Sequence, residues 1–282
     1  SMNFLISNQM IVVGEVFTES WWQYCPDARA GIADLANSQP NFIPIIFQGD
    51  TPHVSPGYIS RFTQYNGSGL PLAQFGGYLS VSGGGGNMYN TYLTRYNTVS
   101  NINSPLSLNL SSEIIGNQII MEADVEVTGN ITHSNNKVVF ILTSLQDEDY
   151  FCSVISYDYS TFNLSSIGDS GTFQMSVDIN PNWDINQIKF VGLVQSFNDN
   201  HILQARSINV PLNNLFVMDT DISGIDDQNG GDSDGVVNPG ENISLSINLS
   251  NESLELISSS SQITVTTSTP GINILEPIQY YN

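Results

Sequence analysis

The sequence predicts a multidomain chain: an α/β domain over residues 1–104, an all-β sandwich over 105–217, and a short β module over 218–282. Three observations carry this division. Between Met10 and Ala36 an apolar strand run passes through a short aromatic loop into a helical stripe. After Pro105 the apolar period changes from helical to two. From Asp219 onward an acidic, glycine-rich loop interrupts the strands.

The opening stretch is Met10-Ile11-Val12-Val13, then Phe17-Thr18-Glu19-Ser20-Trp21-Trp22-Gln23-Tyr24-Cys25-Pro26. Cys25, Ala28, Ile32, Leu35 and Ala36 follow at helical spacing, and Pro26 suits a first helical turn, where its missing N–H costs nothing. Phe42-Ile43-Pro44-Ile45-Ile46-Phe47 reads as a strand covered on both faces, with Pro44 as its one discord. Tyr58, Phe62 and Tyr65 form a short helical stripe, and His53 in the turn before it reads as a solvated loop histidine. Gly69-Leu70-Pro71-Leu72 enters a strand–turn–strand, and Gly83–Gly86 reads as a flexible connection rather than a phosphate cradle. Met88, Tyr92, Tyr96 and Val99 then mark a closing helix.

Phe17, Thr18, Trp21, Cys25 and Pro26 resemble the thioredoxin-like domain of the Omp28 family of secreted bacterial proteins. In that family a C-x-x-C pair is expected, and Trp22 stands at the place of its first cysteine. The first cysteine of such a pair sits at a helix N-terminus, which stabilises its thiolate for attack, and the second resolves the mixed disulfide. An indole can do neither, so the resemblance leaves Cys25 as a resolving cysteine without a nucleophile. It also implies a cis Leu70–Pro71 bond facing the redox helix, 46 positions after Cys25. The groove it implies is lined by Trp21, Trp22, Tyr24, Cys25, Leu70 and Pro71, and would take a peptide, a protein or a surface glycan.

From Pro105 the runs Ile119–Val127, Val138–Leu142, Phe151–Val154, Phe173–Val177 and Ile188–Val194 alternate between Asn, Gly, Asp and Ser turns, as in an Ig-like sandwich. Phe190–Gln195 followed by Ile202–Ala205 is similar to a hairpin of the same family's second domain. Cys152 falls inside one of these runs and reads as a small inward hydrophobe.

The acidic loop runs Asp226-Asp227-Gln228-Asn229-Gly230-Gly231-Asp232-Ser233-Asp234-Gly235-Val236-Val237-Asn238-Pro239-Gly240-Glu241. Asp232, Asp234, Val236, Asn238 and Glu241 fall at ligand positions of a twelve-residue calcium loop, with Gly230 where an aspartate is usual. No helical pattern flanks it. The run resembles the start of Ig-like surface modules, so Ca²⁺ is the one cofactor expected, against an acidic turn closed by hydrogen bonds alone. Roughly forty residues follow Glu241, against about 100 for a complete Ig-type domain.

Asp and Glu outnumber Lys and Arg 27 to 6, for a net charge of −21. That excludes nucleic acid as a partner, because phosphates require a basic surface. No apolar run reaches the ~18 residues of a membrane helix. The composition points to an exported protein, secreted or on the outer surface, with any signal peptide lying outside this sequence. Cys25 and Cys152 are 127 positions apart and form no zinc spacing; either they pair across two domains or both are free, and the free state is the one expected. The function expected is a non-catalytic binding or structural module with a degenerate dithiol site. The alternatives are a monothiol disulfide-exchange or peroxide-reactive protein using Cys25, and a hydrolase on the sandwich, for which the carboxylates form no distinguishing motif.

Overall fold

Strand β1 (Val12–Thr18) is buried along its whole length, as a continuous apolar run with both faces covered must be. The computed structural model describes residues 9–52, 54–145 and 151–210, and the strands at 221–226, 244–248, 261–264 and 278–281. The chain divides into two compact units, 1–211 and 212–282.

Helix α1 (Cys25–Ser38) connects β1 to the parallel strand β2 (Phe42–Gln48), as the stripe predicts, and buries Cys25, Ala28, Gly31, Ile32 and Leu35. The discord at Pro44 resolves in the register. The Ile46 N–H points away from β1, toward the Cys152 carbonyl. The Pro44 nitrogen, two residues earlier, points to the same side, where β2 has no ladder partner. Helix α2 (Tyr58–Gln64) leads to β3 (Leu72–Phe75), antiparallel to β1, and then to β4 (Leu79–Ser82). Helix α3 (Tyr89–Ser100) buries Tyr92, Tyr96 and Val99. The Leu70–Pro71 bond is cis as expected; Thr51–Pro52 is cis as well.

The remaining strands of the first unit are β5 (Leu106–Ile115), β6 (Gln118–Val127), β7 (Asn136–Ser144), β8 (Ser153–Thr161), β9 (Ser170–Asp178), β10 (Ile188–Ser196) and β11 (Ile202–Asn209). They do not form a separate body. β11, β10, β7 and β8 continue the sheet of β2, β1, β3 and β4 in the order β11-β10-β7-β8-β2-β1-β3-β4, joined where Ile46 pairs with Ser153. The boundary expected after residue 104 therefore lies inside the first unit, and the one expected after 217 lies close to the division at Pro211. Cys152 sits just before β8 rather than within it. Its φ of 56° suits a turn, not an extended strand, and its carbonyl accepts from Ile46.

The eight-stranded sheet curls over on itself. Ile202 of β11, at one end of the strand order, donates its N–H to Gly76 O just past β3, near the other end, at 2.9 Å. Strands lie ~4.8 Å apart, so a flat sheet would hold these groups more than ~20 Å apart. Between the facing halves lies one core, with Val13, Phe17, Ile45 and Phe47 against Val139, Ile141, Val191 and Leu193, and with Tyr58 and Tyr65 of the α2 segment. Phe17 stacks on Phe47 at 5.0 Å. The opposite faces bury separate cores: β1, β2 and β3 against α1 and α3, and β7, β10 and β11 against the three-stranded sheet β5-β6-β9. Alternation decides this, because successive side chains of β7 (Val138, Phe140, Leu142 and Val139, Ile141) enter different cores.

In the second unit β12 (Asp221–Asp226) pairs antiparallel with β13 (Ser244–Asn248), and β14 (Ser261–Thr264) with β15 (Ile278–Tyr281).

Candidate functional site

The loop between β1 and α1 is drawn tight by local bonds. Cys25 N–H donates to Trp22 O at 3.0 Å, the Glu19 N–H points at the Cys25 sulfur at 3.4 Å, and Ser20 donates to Asp50 from backbone and side chain. Trp22 packs edge-on against Trp21 at 5.4 Å and Tyr24 at 5.9 Å. Trp21 is 66% and Tyr24 40% exposed, whereas Cys25 is fully buried. Burial pushes the Cys25 thiol up, although the Glu19 N–H and Arg29 act the other way. Both cysteines are free rather than paired with each other.

Pro71 is buried beside this loop, and the glycine run lies against it. Gly83 donates its N–H to Pro71 O at 2.8 Å, and Gly86 donates to Asp27 at 2.9 Å. A Cβ on Gly84 would stand 2.5 Å from Tyr24 O and 3.3 Å from the Pro71 ring. The glycine run is therefore held at Gly83 and Gly86 by these bonds and at Gly84 by contact with Tyr24 and Pro71, while a Cβ at Gly83, Gly85 or Gly86 would meet nothing within 4 Å. Leu70 turns the other way and packs with the core around Phe17 and Tyr58. Of the six groove residues, Trp21, Trp22, Tyr24 and Cys25 share one loop, Pro71 meets it through Gly84, and Leu70 packs with another core.

Two further clusters escaped the sequence. In the core between the sheet halves, Arg61 of α2 is fully buried and grips Glu15 of β1 with two bonds, 2.6 Å and 3.1 Å, while donating to Gln195 of β10 at 2.6 Å. The Tyr65 hydroxyl also donates to Glu15, and the guanidinium lies over the Tyr65 and Tyr157 rings. Burial opposes the charged guanidinium, yet Glu15 and the two phenols hold its pKa above the usual value. Gln195 passes the constraint on by donating to Asn200 O at 2.7 Å. Arg61 carries no sequence signal of this role, since an arginine on a short helix reads as solvated.

The second cluster joins the β6–β7 and β10–β11 connections. His133 Nδ1 lies 2.7 Å from Asp199 Oδ2, and His201 Nδ1 lies 3.5 Å from Asp199 Oδ1. The His133 and His201 rings stack at 4.6 Å, and His201 stacks on Tyr78 at 4.0 Å. Although partial burial opposes it, bonds from Ser196, His133 and the His201 N–H hold the Asp199 carboxyl down at about 2. A pocket of about 360 Å³ opens beside them, with a mainly apolar lining that includes Met10, Val99, Ile102 and Leu203. The Asp-x-His spacing was legible, but His133, 66 positions before Asp199, was not.

Asp232, Asp234, Val236, Asn238 and Glu241 lie outside the described residues, as does His53. No helix among the described residues is long and apolar enough to cross a membrane.

Together these features define a β-rich chain with three α-helices among the described residues of its first unit, built on a mixed eight-stranded sheet. Among solved structures, HBP35 of Porphyromonas gingivalis shares that fold, with a TM-score of 0.57 at 15% identity over 97% of this chain and 97% of that one. A domain of the outer membrane lipoprotein Omp28 from the same organism matches 38% of this chain and 88% of its own length, at 8% identity and a TM-score of 0.28. No protein-family model and no curated protein sequence matches the chain.

Proposed function

We propose that this chain is an exported surface module, related to the Omp28 proteins, whose thioredoxin-like site has lost its chemistry and now serves binding. The observation that carries this reading is Trp22 three residues before a Cys25 whose sulfur is buried and has no partner thiol. Supporting it are the β1-α1-β2 order, Cys25-Pro26 at the start of α1, and the cis Pro71 beside Tyr24. The raised Cys25 pKa weighs against a monothiol enzyme, because the thiolate is the reacting species. The exposed Trp21 and Tyr24 offer the aromatic surface a protein partner would cover. Export is read from the acidic composition and from the resemblance to a secreted family.

Trp22→Cys tests the reading. The unaltered chain should not accelerate insulin reduction by dithiothreitol. The variant should form an intrachain disulfide with Cys25 and gain measurable exchange activity. Activity in the unaltered chain, or no disulfide in the variant after oxidation, would overturn it.

A further inference from the structure

We propose that His133, Asp199 and His201 form a binding site for a divalent late transition metal ion, with Zn²⁺ as its test ligand. One ligand atom from each of the three residues lies within 4.8 Å of the others. A tetrahedral zinc site, with bonds near 2.0–2.1 Å, sets its ligand atoms ~3.3 Å apart, so closure asks for little movement. A His₂-carboxylate donor set suits such an ion, and three protein ligands leave a fourth position open.

A plain hydrogen-bonded His–Asp pair would account for His133. It does not account for His201. Its Nδ1 is closed off from solvent, has no hydrogen-bond partner among the described residues, and stands 3.5 Å from a carboxylate oxygen. A cation between them would satisfy both groups.

The surrounding chain holds the donors in place. Asn198 donates to Ser134 Oγ at 2.7 Å, so the two connections are laced together. Asn200, between the two donors Asp199 and His201, has a φ of 68°. It is pinned there by Gln195 and by Gln64, whose amide donates to its side chain at 3.0 Å. Gly77 packs so closely that a Cβ on it would meet Asn200 O at 1.8 Å. Such preorganisation of the donors by a surrounding bonded shell is what metal sites require. The net charge of −21 adds a field that draws cations. Both imidazoles also line the 360 Å³ pocket.

The test is calorimetric titration of the tag-free, chelator-stripped chain with zinc sulfate. One saturable site per chain is expected. His133→Gln and His201→Gln should each weaken it by about 100-fold or more, the upper end of what losing even an outer partner costs. His53→Gln should leave it unchanged. As a readout free of substitutions, zinc should shift the imidazole NMR signals of two of the chain's three histidines. Absence of saturable binding, zinc shifting no histidine signal, or binding that survives both glutamine variants would overturn the proposal. So would loss of the site with His53→Gln.

Discussion

Replacing Arg61 by methionine probes the joint between the two halves of the curled sheet. Methionine fills much of the same space but removes the bidentate grip on Glu15 and the bond to Gln195. Glu15, itself fully buried, would keep only the Tyr65 hydroxyl. Breaking one side of a buried ion pair typically costs about 3–5 kcal/mol, because the remaining charge has lost its partner and cannot reach water. With a urea slope near 2–3 kcal/mol per molar, the unfolding midpoint should fall by roughly 1–2 M. All three tryptophans, Trp21, Trp22 and Trp183, belong to the first unit, so indole fluorescence follows that unit alone. Adding Glu15→Gln to Arg61→Met removes the stranded carboxylate and should recover at least about 1.5 kcal/mol, a coupling typical of contacting residues. A midpoint shift below about 0.3 M for the single variant would refute the reasoning. So would a double variant whose loss equals the two single losses added together.

Two other predictions concern ionisation and calcium. Burial holds the Cys152 thiol at about 11 in the folded chain, against an ordinary 9.0, with Lys189 pulling weakly the other way. Below pH 9 both states keep the proton and its contribution is complete; above pH 9 the unfolded thiol ionises first, so stability falls until the folded thiol ionises near 11. The loss is about 2 kcal/mol. Urea midpoints at pH 9 and 11 should show it in the unaltered chain, and Cys152→Ala should lack that part of the slope; equal slopes would sink the idea. For the acidic loop, we propose that Asp232, Asp234, Val236, Asn238 and Glu241 bind Ca²⁺, so EDTA should lower the melting temperature of the chain and added Ca²⁺ restore it. No shift on chelation would remove calcium as a stabilising ion.

Much of the local structure was written in short-range pattern. The stripe Cys25–Leu35 gave α1, Met88–Val99 gave α3, and the alternating runs at 119–127, 138–142, 173–177 and 188–194 all became strands. The helical stripe Tyr58, Phe62 and Tyr65 placed α2, but the same pattern hid Arg61, whose burial depends on Glu15 and Gln195 arriving from 46 and 134 positions away. Glycine content alone suggested a loose link at Gly83–Gly86; only the folded chain shows that Gly84 within it lies against Tyr24 and Pro71.

By itself the sequence placed the three α-helices and most of the strands, and it left Cys25 with no second cysteine inside its own motif. These depend on neighbours along the chain, or on which atoms a side chain carries. Tertiary structure alone decided that residues on both sides of Pro105 would share one sheet, that the sheet would curl until Ile202 met Gly76, and that His133 would meet Asp199 and His201. Such meetings are fixed by how apolar faces bury one another across long loops, a property of the folded whole that no window of consecutive residues contains.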